Sequence, residues 1–79
     1  MEETIRTVLG SHAKLPVDIS SLTEHDDLHA VGLTSHATVN VMLALEDAFD
    51  VEFPDSMLRK STFTSMATIR AALVEIGAS

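Results

Sequence analysis

Between Thr34 and Phe49 the apolar residues recur with the period of an α-helix, and no other segment of the chain is patterned as strongly. At about 100° per residue, Val41, Met42, Leu45, Ala48 and Phe49 fall on one stripe with Thr38 beside it. A stripe of that kind has to be covered, and a chain of 79 residues can cover it only with a few further amphipathic elements. Two more segments supply them. Ile5, Val8, Leu9 and Ala13 have helical spacing behind an acidic opening turn, Glu2 and Glu3, which the helix dipole favours. Met66, Ile69, Leu73 and Ile76 form a third apolar face that Gly77 closes. No segment alternates as a strand does. The predicted fold is all-α, a four-helix bundle of three long helices and one short one, built as a single domain over residues 1–79.

The segments between the helices carry their own signals. Pro16 disfavours helix at Leu15, so the first helix is predicted to end by about Lys14. The next twenty residues are a long connection, 15–34, in which Asp18, Ser20, Ser21, Thr23 and Asp26 are turn formers. Val17, Ile19, Leu22, Leu28 and Val31 are spaced among them as pins that fix the loop to the bundle, and Asp26–Leu28 can form a helical turn. A connection this long inside a compact domain is normally functional or packed by its own side chains. Pro54 and Asp55 open a short helix through Met57, Leu58 and Arg59. Residues 61–64 are a connector with Phe63 buried, and Thr64 is the expected cap of the last helix.

Composition excludes several kinds of chemistry. With 46% hydrophobic residues the chain has the material for a core. It has no cysteine, so disulfides and thiolate zinc sites are ruled out, and any sulfur chemistry must come on a cofactor. The net charge of −7 argues against nucleic acid as a partner, because phosphate binding needs clustered cations. It suits basic partner surfaces, or serves only to keep a small protein in solution. No run approaches the ~18 apolar residues of a membrane span, and the acidic start Met1-Glu2-Glu3 is unlike a signal peptide. A cytoplasmic protein is expected.

Among the possible reactive constellations, His25, His29 and the acids Glu24, Asp26 and Asp27 sit on a loop without zinc-ligand spacing, so no metal site is predicted. Ser35 and His36 are neighbours on a helix and their side chains diverge by about 100°, which prevents a nucleophile–base pair. A catalytic site is not expected. What remains is the start of the second helix. Thr34 is a good cap, and it leaves Ser35 on the first turn, where free N–H groups and the dipole favour a phosphate ester on its hydroxyl. Val39 and Leu43 lie off the core stripe on the side of Ser35, next to His36.

The run G-L-T-S-H-A-T-V-N-V-M-L-A-L-E-D-A-F-D-V-E-F-P-D, from Gly32 to Asp55, resembles the attachment-site helix and following turn of acyl carrier proteins. Those read G-x-D-S-L, then an A-L-E-E-x-F stretch, then I-x-I-P-D. The resemblance covers most of the chain, including the approach Asp26 to Leu33 and the last helix. It implies a 4'-phosphopantetheine arm on Ser35, installed from coenzyme A by a phosphopantetheinyl transferase, on a monomer. The departures are Thr34 for the usual Asp, His36 for the usual Leu, and Ala37 and Asn40 where many relatives carry carboxylates. No acid occurs from Thr34 to Leu45, so partner recognition is expected to use shape and apolar contact.

G-L-(small)-S followed by F-P-D and M-L-R-K-S-T-F is closer to the stand-alone aminoacyl carrier proteins, which are loaded by an amino acid:carrier protein ligase resembling a truncated seryl-tRNA synthetase. On that reading the partner-binding residues are Leu33, Thr34, His36, Val39, Asn40, Leu43, Arg59 and Lys60. An acyl carrier loaded by acyl transferases, and an unmodified acidic interaction module, remain alternatives.

Overall fold

A computed structural model describes residues 1–78. Its three α-helices are α1 (Glu2–His12), α2 (Ser35–Phe49) and α3 (Met66–Glu75), and no strand occurs among the described residues. The expected short fourth helix takes the form of two 3-10 turns, Asp55–Met57 and Lys60–Phe63; a further turn, Ile19–Ser21, lies in the long loop. Helix α1 packs against both α2 and α3. Ile5, Leu9, Leu28, Val41, Leu45, Met66, Ile69 and Leu73 are each under 2% exposed and make the centre of the core. Burying one such side chain stabilises the fold by about 1.5–3 kcal/mol relative to leaving it exposed.

Each helix ends where its sequence makes continuation costly. Helix α1 runs into Lys14, which has φ 53°, ahead of Pro16. Helix α2 stops at Asp50, also left-handed at φ 53°. Beyond it the backbone N–H of Phe53 donates to Glu46 Oε2 at 2.8 Å, so an acid of α2 anchors the F-P-D turn. That turn delivers Phe53 to the core, where its ring packs against Phe63 with centroids 5.5 Å apart at 59°, a contact worth about 0.5–1.5 kcal/mol beyond area burial.

Four expectations need correction. Asp26–Leu28 is a pair of turns and not a helix: Asp26 Oδ2 accepts from the N–H of Thr23, and Asp27 Oδ1 from those of His29 and Ala30. Short acidic side chains compete in this way with helical hydrogen bonding. The cap of α3 is Ser65, not Thr64. Ser65 Oγ accepts from the N–H of Thr68 and Thr68 Oγ1 from that of Ser65, while the Thr64 hydroxyl donates back to Lys60 O. Val17 is exposed and pins nothing, leaving Ile19, Leu22, Leu28 and Val31 to hold the loop. On α2, Ala48 is exposed, because a methyl group is too short to close the shallow groove it lines with Val8 and Ser11.

The loop is tied down from several directions. Arg6 Nη1 donates to Ile19 O at 3.0 Å. Arg70 meets the Glu24 carboxylate with two contacts, of 3.1 and 3.4 Å. The N–H of Leu28 donates to Thr64 O at 2.6 Å and that of Ala67 to Glu24 O at 2.9 Å. Gly32 has φ 121°, and a Cβ there would lie 2.8 Å from Pro16 Cδ, so the bend that leads into α2 requires glycine.

Candidate functional site: the start of the second helix and the groove beside it

The Thr34 side chain accepts from the N–H of Ala37 at 3.1 Å, and its carbonyl from the N–H of Thr38 at 2.9 Å. One orphan donor of the first turn is thereby satisfied, and the N–H groups of Ser35 and His36 have no acceptor within the helix. Ser35 occupies the first helical position and is exposed, as are Thr34 and His36. Two unpaired donors and the positive end of a 15-residue helix thus stand beside an accessible hydroxyl. The nearest carboxylate along α2 is Glu46, turned away to hold Phe53.

Beside Ser35 a groove of about 490 Å³ runs between α2 and the segment from Leu58 to Phe63. Thr38, Val39 and Met42 form one wall, Leu58, Arg59 and Lys60 the other, and Leu33 and Phe63 the floor. His29 straps the end of the loop to the far wall. Its Nδ1 lies 3.4 Å from Leu33 O and its Nε2 3.2 Å from Lys60 O, and a neutral imidazole donates to one of the two. Arg59 Nε donates to the carbonyl of Ser56 at 2.8 Å. Among the described residues neither Arg59 nor Lys60 forms an ion pair, whereas Arg6 pairs with Glu2 and Arg70 with Glu24.

The structure divides the residues singled out in the sequence. Thr34, Ser35, Val39, Arg59 and Lys60 come together around the groove. Leu33 is 5% exposed, so its side chain is not available as a surface contact and serves the floor instead. Asn40 and Leu43 face another hollow with His12, Lys14 and Asp47, at the end of α1. Val39 and Leu43 are nonetheless about half exposed, at 50% and 54%, and no neighbouring helix covers them. Sequence reasoning missed His29, Thr38, Met42 and Leu58 as groove residues. Met42 carried a signal in its place at the edge of the helical stripe; His29 carried none, since its partners are backbone carbonyls four and 31 positions away.

A phosphopantetheine arm fits these residues: an exposed hydroxyl, amide donors without an acceptor in the helix, two cations without counter-charges among the described residues, and a groove that opens beside them. Comparison with known proteins agrees. Residues 3–70 match the family model described as "Phosphopantetheine attachment site". The chain is 42% identical over 69 residues to an aminoacyl carrier protein of Agrobacterium fabrum, covering 87% of this chain and 83% of the relative. It superposes with TM-score 0.92 and 39% identity on a chain in a crystal structure of an engineered Bradyrhizobium japonicum glycine:[carrier protein] ligase with the carrier protein from Agrobacterium tumefaciens and AMP, covering 94% of this chain and 99% of that one. A chain in the crystal structure of the Bradyrhizobium japonicum ligase with glycylated carrier protein aligns at TM-score 0.77 and 31% identity, over 90% and 95% of the two chains. With its helical fold, its cap-and-serine entry to α2 and these relatives, the chain belongs to the phosphopantetheine-attachment family of carrier proteins and is a homologue of the aminoacyl carrier proteins.

Proposed function

We propose that Ser35 is the attachment residue and that the protein carries a small amino acid, glycine or one of similar size, as a thioester. The observation that carries this reading is the exposure of the Ser35 hydroxyl on the first turn of α2, within the span 3–70 that matches the family model. When bound, the arm supplies the thiol that a chain without cysteine lacks. The chain's own residues present and position. Thr34 fixes the first turn, so the Ser35 hydroxyl has one defined outlook toward a phosphopantetheinyl transferase. The amides of Ser35 and His36 stabilise the anionic ester.

Loading is assigned to a separate amino acid:carrier protein ligase. Relatives in complex with a glycine:[carrier protein] ligase support this assignment. So does the composition of the α2 face: with no acid from Thr34 to Leu45, it offers Val39 and Leu43 as apolar contacts in place of a charged surface. The bond-making groups belong to the ligase, and this chain is a carrier and not an enzyme. Its place is the cytoplasm, where coenzyme A supplies the arm.

The test is direct. Incubation with coenzyme A and a phosphopantetheinyl transferase should raise the intact mass by one arm. ATP, glycine and a glycine:[carrier protein] ligase should then add one hydroxylamine-labile glycyl group. Ser35→Ala should lose both additions while keeping the thermal midpoint, since an exposed serine contributes within about 0.5 kcal/mol. Acceptance of malonyl or long-chain acyl groups with refusal of every amino acid would overturn the aminoacyl reading.

A further inference from the structure

The five Lys and Arg residues of this chain fall into two groups. Arg6 and Arg70 are partly buried and each meets a carboxylate, that of Glu2 and that of Glu24, so they serve the fold. Lys14, Arg59 and Lys60 are exposed and form no ion pair among the described residues, although the chain has twelve acids. Their places follow a pattern. Arg59 and Lys60 line the groove on the Val39 side of α2, and Lys14, together with His12, lines the hollow on its Leu43 side. Between the two runs the edge of α2 formed by Ser35, Val39 and Leu43, spaced four apart and exposed. No acid occurs from Thr34 to Leu45, and the positive end of the helix dipole stands at the start of the edge. Asp47, the next residue in the row, ends it, and from there acids resume at Asp50, Glu52 and Asp55. A chain of net charge −7 thus presents an apolar strip with cations along both sides.

We infer that this strip docks an acidic partner surface: an apolar ridge on the loading ligase with carboxylates along both flanks, one set reaching Arg59 and Lys60 and the other Lys14. The inference rests on the proposal that Val39 and Leu43 contact the ligase, and goes beyond it by assigning the charge of the surface they meet and by adding Lys14 to the interface. Charge complementarity selects the occupant. At contact, charges more than about 8–10 Å away are screened, so the sign of the strip and not that of the whole chain decides which surface fits. A basic ridge, which the net charge alone would select, brings cations against three unpaired cations and a helix N-terminus, and like charges facing each other across an interface are costly. An acidic ridge turns the same contacts favourable. Cations on both sides also fix register, because a ridge that slides sideways loses one set. Asp47 repels an acid displaced along α2 toward its C-terminal end. The ridge is thereby held over the half of the helix that bears Ser35.

The experiment measures loading of the full chain, its arm installed from coenzyme A, by a glycine:[carrier protein] ligase over a series of sodium chloride concentrations. The wild-type KM rises with salt, because the attraction between exposed charges is screened. In K14Q/R59Q/K60Q the KM at low salt is about three- to tenfold higher, its dependence on salt is nearly flat, and kcat is that of the wild type. The charge-preserving variant K14R/R59K/K60R regains both the low KM and the salt slope. The urea midpoints of the two variants stay near that of the wild type, because all three side chains are exposed. A KM that falls in K14Q/R59Q/K60Q shows a basic partner surface and overturns the inference. So does a KM equal in wild type and K14Q/R59Q/K60Q at every salt concentration. In both cases the wild type is still glycylated and the aminoacyl reading stands. A wild type that gains its arm but accepts no glycine at any concentration overturns both readings, and intact mass identifies that outcome before any KM is compared.

Discussion

The loop from Leu15 to Thr34 and the outer face of α2 are covalent neighbours, but they are built on opposite plans. The loop is irregular in backbone and nearly saturated with ties: Arg6 and Arg70 hold it from two helices, its own aspartates close turns, and Leu28 is fully buried. The outer face of α2 has regular backbone and almost no side-chain ties. Ser35, His36, Val39 and Leu43 are exposed there and make no side-chain hydrogen bond or ion pair among the described residues. Rigidity has thus been concentrated upstream of the serine and withheld from the face proposed to meet partners. A carrier needs this division: one fixed attachment point for many visitors, and a face uncommitted enough to receive them.

The strongest way to break the comparison is to loosen the loop from inside. Leu28 is 0% exposed and stands among core residues of all three helices. Leu28→Ala should cost about 2–5 kcal/mol, visible as a lowered urea midpoint at unchanged slope. Where the variant is still folded, Ser35 should accept the arm at the wild-type rate. A loss below 1 kcal/mol would mean that the loop is ornamental. Gly32→Ala should come next, at about 1–3 kcal/mol, because alanine must take φ 121° against Pro16. Unlike Leu28→Ala, it acts on the bend that aims α2, so it should also slow modification of Ser35 while the protein remains folded.

These two positions differ in how far they could be read beforehand. Leu28 is legible as a pin of the loop because it is apolar in a polar stretch, whereas Gly32 is marked only as the first residue of the run that resembles the attachment-site helix. The stripe of α2 and the Thr34–Ser35 entry were legible for the same local reason: period and cap chemistry act over a few residues. What depended on distant backbone was not legible. The clash that makes Gly32 obligatory comes from Pro16, and the strap made by His29 needs the carbonyl of Lys60. Thr64 and Ser65 are adjacent cap formers, and only the reciprocal bond with Thr68 decides between them. Leu43 lies on the side of Ser35 on a helix wheel, yet the end of α1 gives it a separate hollow, which it lines with Asn40.

The bare face can be tested in the other direction. Val39 and Leu43 are exposed apolar side chains with no structural employment, so V39S/L43S should leave the urea midpoint within about 0.5 kcal/mol of wild type. Against the ligase, however, the double variant should raise KM about tenfold, the equivalent of ~1.4 kcal/mol of lost apolar contact. The turnover number should stay near that of the wild type, because the proposed role of these residues is to bind the partner and not to touch the thioester. A midpoint lowered by several kcal/mol would show that the face is committed to the fold after all.

The smallest effect belongs to the most exposed tie of the loop. The carboxylate of Asp18 caps the Ile19–Ser21 turn, accepting from the N–H of Ser20 at 3.0 Å. That backbone hydrogen bond, with a smaller contribution from the Ser20 side chain, holds its pKa below the ordinary aspartate value of 3.8 against a slight opposing effect of desolvation. A lowered folded-state pKa means that the unfolded chain binds the proton more readily, so this carboxylate stabilises the fold at every pH above 3.8 and ceases to do so as pH falls through its folded value. Asp18→Asn keeps an oxygen acceptor but has nothing to titrate. The difference in thermal midpoint between wild type and variant should therefore be constant at neutral pH and change only below 3.8, with the wild type losing more. No matching pH dependence should accompany V39S/L43S, which removes no titratable group.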